Sequence, residues 1–207
     1  MNHRASGALL ALLLAAFVSA CGSVGEPVSA SPSGPSSEAP PLQGSPMNGR
    51  FTLTDQDGKR VSDSAFAGKY RLTYMGFANC PDVCPVDLQV LGEGLRRFEQ
   101  NDPARAARVQ PLFITVDPER DTPELLKRYV PNFHPRLVGL TGSRQEIDAV
   151  VRAHGGSSVK GETSPGGGYN VDHSRYILLM GPNGEPIAIV PHETPDAVAA
   201  ELDKWVR

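Results

Sequence analysis

The chain has 207 residues with a formal net charge of −3, 21% charged residues and 40% hydrophobic ones. It shows no basic patch and no charged tail, so no nucleic-acid partner is expected. Its three cysteines and five histidines are the residues whose placement carries the most chemistry.

The first twenty residues read as a targeting segment. Arg4 supplies the positive start, residues 8–18 form an unbroken apolar run of eleven, and Val18-Ser19-Ala20-Cys21 closes it. Eleven apolar residues are too few to span a bilayer but fit the hydrophobic region of a signal peptide. Small residues directly before a cysteine resemble the lipobox of bacterial lipoproteins, which makes Cys21 a candidate lipidation site. The alternative is ordinary cleavage near Ala20, leaving an unpaired exported thiol, a liability that favours lipidation. Residues 21–46 are dense in Ser, Pro, Gly and Ala and read as a flexible tether. Residues 47–207 have the size of one domain with its own core.

Within that domain, residues 51–55 and 59–61 flank Gln56-Asp57-Gly58 as a small hairpin. Residues 70–77 (YRLTYMGF) read as a buried strand leading into Cys80-Pro81-Asp82-Val83-Cys84-Pro85. Leu88, Leu91, Leu95 and Phe98 follow at helical spacing, so a helix is expected over 85–100 with Cys84 as its cap and Cys80 in the preceding loop. Residues 109–116 form a second buried strand. Thr122-Pro123-Glu124 opens a helix to about residue 132, residues 137–140 form a short strand, and the capping box Ser143 to Glu146 starts another helix. A glycine-rich stretch over 155–170 offers little to pack and is expected to be mobile. Residues 176–180 and 187–190 alternate around Gly181-Pro182-Asn183-Gly184 as a hairpin, and Thr194-Pro195-Asp196 opens a last helix. Helices alternating with strands imply an α/β sandwich around a mixed sheet.

The dithiol loop is the chemical centre of this pattern. A helix N-terminus favours negative charge and is expected to lower thiol pKa. Thioredoxin-type redox centres place two residues between their cysteines; here there are three. That spacing permits a disulfide. It also permits two thiolates to converge on copper(I) or zinc. A plain stabilising disulfide would close so small a loop that it gains little.

Four histidines remain after the leader carrying His3. His134, His154 and His192 lie at helix ends and read as surface or capping residues. His173, in Val171-Asp172-His173-Ser174, sits between the glycine-rich stretch and a strand, and it is the imidazole placed to reach both sulfurs. Asp172 beside it either orients its ring or faces solvent. Asp117-Pro118-Glu119-Arg120-Asp121 reads as an ion-pair network that fixes its loop and caps the following helix, with cation or partner binding as the alternative. Met75 and Met180 fall within strands and read as core.

Four motifs, in order and at similar spacing, resemble the Sco/SenC family of copper-binding proteins: Cys80 to Pro85, Val116 to Pro123, Gly139 to Ser143, and Val171 to Ser174. The resemblance covers residue 51 to the C-terminus. It implies an α/β, thioredoxin-like sandwich with a central mixed sheet, an N-terminal hairpin extension and flanking helices. It also implies copper (Cu+ or Cu2+) held by Cys80, Cys84 and His173, and a part in assembling cytochrome c oxidase. The partners so implied are the oxidase's copper-bearing subunit, a thiol reductant or copper-donor protein, and the membrane through the lipid anchor. The location is that of a bacterial cell-membrane lipoprotein facing the periplasm or extracytoplasmic side. Ala78-Asn79 departs from the family's frequent Thr-His. Thiol–disulfide reduction of the oxidase subunit is the alternative function. It would use the same Cys80 and Cys84 dithiol without needing His173. Peroxidase chemistry is disfavoured, because Phe77 stands where that pattern wants threonine. A zinc-stapled module is disfavoured because only three ligands converge.

Overall fold

A computed structural model describes residues 38–207. Cys21, the leader and residues 22–37 of the expected tether lie outside them. Strands β1 (Thr52–Asp55) and β2 (Arg60–Ser62) form the N-terminal hairpin. β3 (Tyr70–Gly76) follows, then helix α1 (Val83–Asn101), the short α2 (Pro103–Ala106) and β4 (Val109–Thr115). Next come α3 (Pro123–Tyr129), a 3-10 turn, β5 (Val138–Thr141) and α4 (Arg144–Ala153). β6 (Ser158–Lys160), β7 (Val171–His173), β8 (Ile177–Met180), β9 (Pro186–Val190) and α5 (Pro195–Trp205) complete the chain.

Seven strands make one mixed sheet in the order β2-β1-β5-β4-β3-β8-β9. β3, β4 and β5 run parallel at its centre, joined by helical crossovers, while β8 returns antiparallel to β3. This is the expected thioredoxin-like sandwich, with the β1–β2 hairpin added beyond β5. The central strands are buried almost throughout, which is why their sequences read as near-continuous apolar runs rather than alternations. Alternation along β3 still decides what each face meets. Tyr74 reaches α1 through Asp87, whereas Arg71, on the other face, donates to the Gly49 carbonyl at 2.7 Å.

The elements begin where local chemistry allows. Thr122, Ser143 and Thr194 cap α3, α4 and α5 through their hydroxyls, and Ser143 with Glu146 completes a capping box. The start of α1 differs from expectation. It begins at Val83 with Asp82 as the N-cap, so Cys84 lies inside the first turn rather than at the cap. Pro85 is tolerated there because first-turn N–H groups have no intrahelical acceptor, and a missing one costs no bond.

Two stretches expected to be loose are tied. Leu42 N–H donates to the Ile187 carbonyl at 3.1 Å and Asn48 N–H to the Ala153 carbonyl at 2.8 Å. The segment read as tether therefore meets the domain by residue 42. Inside the glycine-rich stretch lies β6, which pairs antiparallel with β7 just beyond it, so that Ser158 lies opposite His173. Met75 and Met180 are buried, as expected.

Gly76 ends β3 where side chains crowd. A Cβ there would stand 2.7 Å from the Tyr74 ring and 3.2 Å from the Cys84 sulfur. Gly76→Ala should lower stability by about 1–3 kcal/mol through overpacking. Urea denaturation checks this, and a neutral outcome would mean that the Cys84 end of α1 yields.

Candidate metal centre

β3 delivers the chain into the dithiol loop, and two anchors hold that loop. The Ala78 N–H donates to the Asp121 carboxylate at 2.9 Å, and the Cys84 N–H donates to the Cys80 sulfur at 3.4 Å. Asp121 also accepts from the Thr115 hydroxyl at the end of β4, at 2.6 Å, and its burial pushes its carboxyl pKa up. Both cysteines are free thiols: Cys84 is fully buried and Cys80 partly exposed.

The structure brings His173 to this loop. Its Nε2 lies 3.4 Å from the Cys84 sulfur, and its Nδ1 faces the Ser174 carbonyl at 3.1 Å. The ring sits edge-on to Phe77 and Tyr74, with centroids 5.9 and 6.4 Å away. Of the two readings of Asp172 the structure favours solvent: it is exposed, and the Ser174 carbonyl stands at Nδ1. Cys80, His173, Phe77, Val83, Asp172 and Arg175 border a cleft of about 320 Å³.

The Cys84 thiol departs from expectation. Its pKa is pushed up to about 12, first by burial and then by the neighbouring Cys80 thiol. Loss of solvent at a fully buried sulfur outweighs the favourable end of α1. As it stands, no group of three or more His, Cys, Asp or Glu among the described residues is gathered tightly enough to hold a metal ion. Cys84 and His173 face one another, while the Cys80 sulfur is engaged with the helix N–H.

The acidic motif after β4 is an ion-pair network, as expected, though the helix is capped by Thr122. Asp117, fully buried, pairs with Arg120 and accepts from the Tyr169 hydroxyl at 2.8 Å. The Arg120 guanidinium lies 3.7 Å from the Tyr169 ring centroid and 5.7 Å from that of Phe77, and it donates to the Tyr169 carbonyl. Glu119 pairs with Lys160 at 2.5 Å. The motif thus grips the β6–β7 hairpin that ends in His173.

The other histidines depart in part. His134 and His154 are each 1% exposed rather than superficial, and burial pulls both pKa values down. His154 does cap, its Nδ1 facing the Val150 carbonyl at 2.9 Å, and His134 lies 3.4 Å from Glu99. His192 points toward Asp87 at 3.9 Å. Sequence reading missed Asp87 and Arg175. The signal was an acid three residues after Cys84 and one before Leu88, on the apolar stripe of α1.

The chain matches the family model described as SCO1/SenC over residues 39–207. The human mitochondrial SCO1 homolog is 41% identical over 139 residues, 67% of this chain and 46% of that protein. The bovine mitochondrial SCO2 homolog is 45% identical over 136 residues, 66% of this chain and 50% of its own length. The chain spans about half the length of the curated relatives it matches. Among solved structures, Bradyrhizobium japonicum ScoI with copper bound has a TM-score of 0.68 at 39% identity, covering 75% of this chain and 97% of that one. Arabidopsis thaliana ScoI with copper bound has a TM-score of 0.70 at 37% identity, covering 76% and 96%. BsSco, a member of the Sco family of cytochrome c oxidase assembly proteins in which a disulfide switch was identified, has a TM-score of 0.58 at 26% identity, covering 76% and 93%. With the model match spanning the dithiol loop, the Asp117 network and His173 together, the chain belongs to the SCO1/SenC family.

Proposed function

We propose that this protein is a copper chaperone that binds one copper ion through Cys80, Cys84 and His173 and passes it on during assembly of the copper centre of cytochrome c oxidase. The observation that carries this reading is the 3.4 Å approach of the Cys84 sulfur to His173 Nε2, beside a cleft that Cys80 borders. Two soft sulfurs and one imidazole suit copper(I), which accepts low coordination, and also tolerate copper(II). The copper-bound ScoI proteins and the oxidase-assembly role of the BsSco family support extending both properties to this chain. Three protein ligands beside an open cleft leave room for an incoming thiolate, which handing the metal on requires.

The Cys84 proton belongs to this chemistry. A thiol with a pKa of about 12 stays protonated at neutral pH, so binding copper as thiolate must release that proton. Copper(I) affinity should therefore rise with pH between about 6 and 8. Calorimetry in buffers of different ionisation heat should show proton release; a heat independent of buffer would mean Cys84 is not a thiolate ligand.

Thiol–disulfide exchange is the second reading, favoured by two free cysteines four positions apart with Cys80 partly exposed. It would reduce cysteines of the oxidase subunit before metallation and has no need of His173. The deciding experiment compares His173→Ala with Cys80→Ala in cells, scoring oxidase assembly with and without added copper. Loss with both variants supports copper delivery; loss with the cysteine variant alone supports reduction. Lipidation at Cys21, holding the domain at the outer side of the bacterial cytoplasmic membrane, completes the proposal. Intact-mass measurement of the membrane fraction tests it, and an unmodified soluble form beginning near Cys21 would exclude the anchor.

A further inference from the structure

Asp87 is a carboxylate where an apolar residue would be ordinary. It lies one turn after Cys84 on the same helix, 1% exposed, among Leu88 and Leu91. A buried carboxylate persists only with partners that replace its lost hydration. Here the Tyr74 hydroxyl donates to Oδ2 at 2.9 Å, and Arg175 donates Nε to Oδ2 at 2.7 Å and Nη2 to Oδ1 at 2.5 Å. His192 approaches the same carboxylate at 3.9 Å. The two-pronged arginine contact is directional and charge-assisted, the kind that fixes orientation as well as distance.

What the fork ties together gives it meaning. One end is α1, which carries Cys84. The other is Arg175, two residues after His173 and adjacent to Ser174, whose carbonyl faces His173 Nδ1. The Ser174 N–H is in turn bonded to the Ser157 carbonyl at 2.9 Å. Residues 173–175 are thus held between the β6–β7 sheet on one side and Asp87 on the other. Tyr74, the third partner, borders both the His173 ring and, through the space beside Gly76, the Cys84 sulfur.

We propose that Asp87 and Arg175 form a positioning strap that joins the His173 segment to the Cys84 helix and sets how imidazole and sulfur meet. Neither residue is assigned a bond to the metal. Their effect runs through His173, and it rests on the copper-site reading above. Replacing partners that orient metal ligands costs about 10–100-fold in affinity, so copper(II), which depends most on the imidazole, should respond more than copper(I).

The test uses Arg175→Ala, whose side chain is about half exposed and whose loss leaves the core in place, and Asp87→Asn, which keeps shape but removes the charge. Two readouts separate the strap from the copper reading. In the metal-free protein, amide exchange over residues 171–175 should quicken in both variants while α5 and the central strands stay protected. Unchanged exchange over 171–175 would overturn the strap whatever copper does. In the copper(II) protein, both variants should lose about tenfold or more in affinity and shift the thiolate-to-copper charge-transfer band. In a His173→Ala background the same changes should have no further effect on copper(II) affinity, because the group they position is gone. An equal loss in that background would overturn the positioning role. If His173→Ala binds copper(II) as the parent does, the copper-site reading fails instead, and the exchange result still judges the strap.

Discussion

Replacing His173 by alanine is expected to weaken copper(II) binding by at least about 100-fold, since even partners outside the ligand set cost 10–100-fold when lost. Copper(I) should be held far better by the same variant. It favours soft sulfur and accepts two ligands, and Cys80 and Cys84 both remain. Cys80→Ala and Cys84→Ala should each abolish binding of both oxidation states, because either change breaks the pair of soft thiolates that anchors the ion. Competition against chelators specific for each state measures the three variants side by side. The asymmetry follows from geometry already described: His173 reaches only the Cys84 sulfur, from a separate hairpin, whereas both thiols belong to one loop. A His173→Ala protein matching its parent in both states would show that the third ligand has been misassigned.

Asp117→Ala should cost about 3 kcal/mol of stability. Asp117 is fully buried and pairs with Arg120, which is itself three-quarters covered. Removing one member of such a pair strands the other's charge and its hydrogen bonds, a loss of about 3–5 kcal/mol for fully buried pairs. Partial exposure of Arg120 trims that figure. The damage should also be directional. Arg120 no longer held by Asp117 would leave the faces of Tyr169 and Phe77, and the 161–170 loop would loosen with it. Urea denaturation gives the first quantity, and hydrogen exchange over 161–170 gives the second. A change below about 1 kcal/mol, the scale of surface pairs, with an unchanged loop, would place the network outside the forces that hold the hairpin.

Most element types were readable because each carried a local signal. Thr122, Ser143 and Thr194 sat where caps belong, and the runs 70–77 and 109–116 had the length and apolar continuity of doubly covered strands. Where reading failed, the deciding interaction was distant along the chain. Strand β6 in the glycine-rich stretch finds its partner β7 beyond that stretch, and Asp117 and Glu119, about fifty positions away, bond Tyr169 in the loop between them. Adjacency leaves Asp172 free either to orient His173 or to face solvent, and only the alternation along β7 decides for solvent. The rise in the Cys84 pKa was invisible for another reason. A motif shows the helix end that favours a thiolate, but not the core that buries it. The approach of His173 to the dithiol loop was legible, and what holds His173 in place was not.

One strand edge has a consequence for handling the molecule. β9 is the outermost strand on its side of the seven-stranded sheet and opens with Pro186, which has no N–H to offer. Its Ile187 carbonyl is covered by the Leu42 N–H. A soluble fragment trimmed to begin at residue 47 would keep every metal-binding candidate and yet bare that carbonyl beside the half-exposed Ile189. Uncovered edges of this kind pair with edges of other molecules. A fragment that retains residues 38–46 keeps that carbonyl covered and should stay dispersed at higher concentration than one that begins at residue 47.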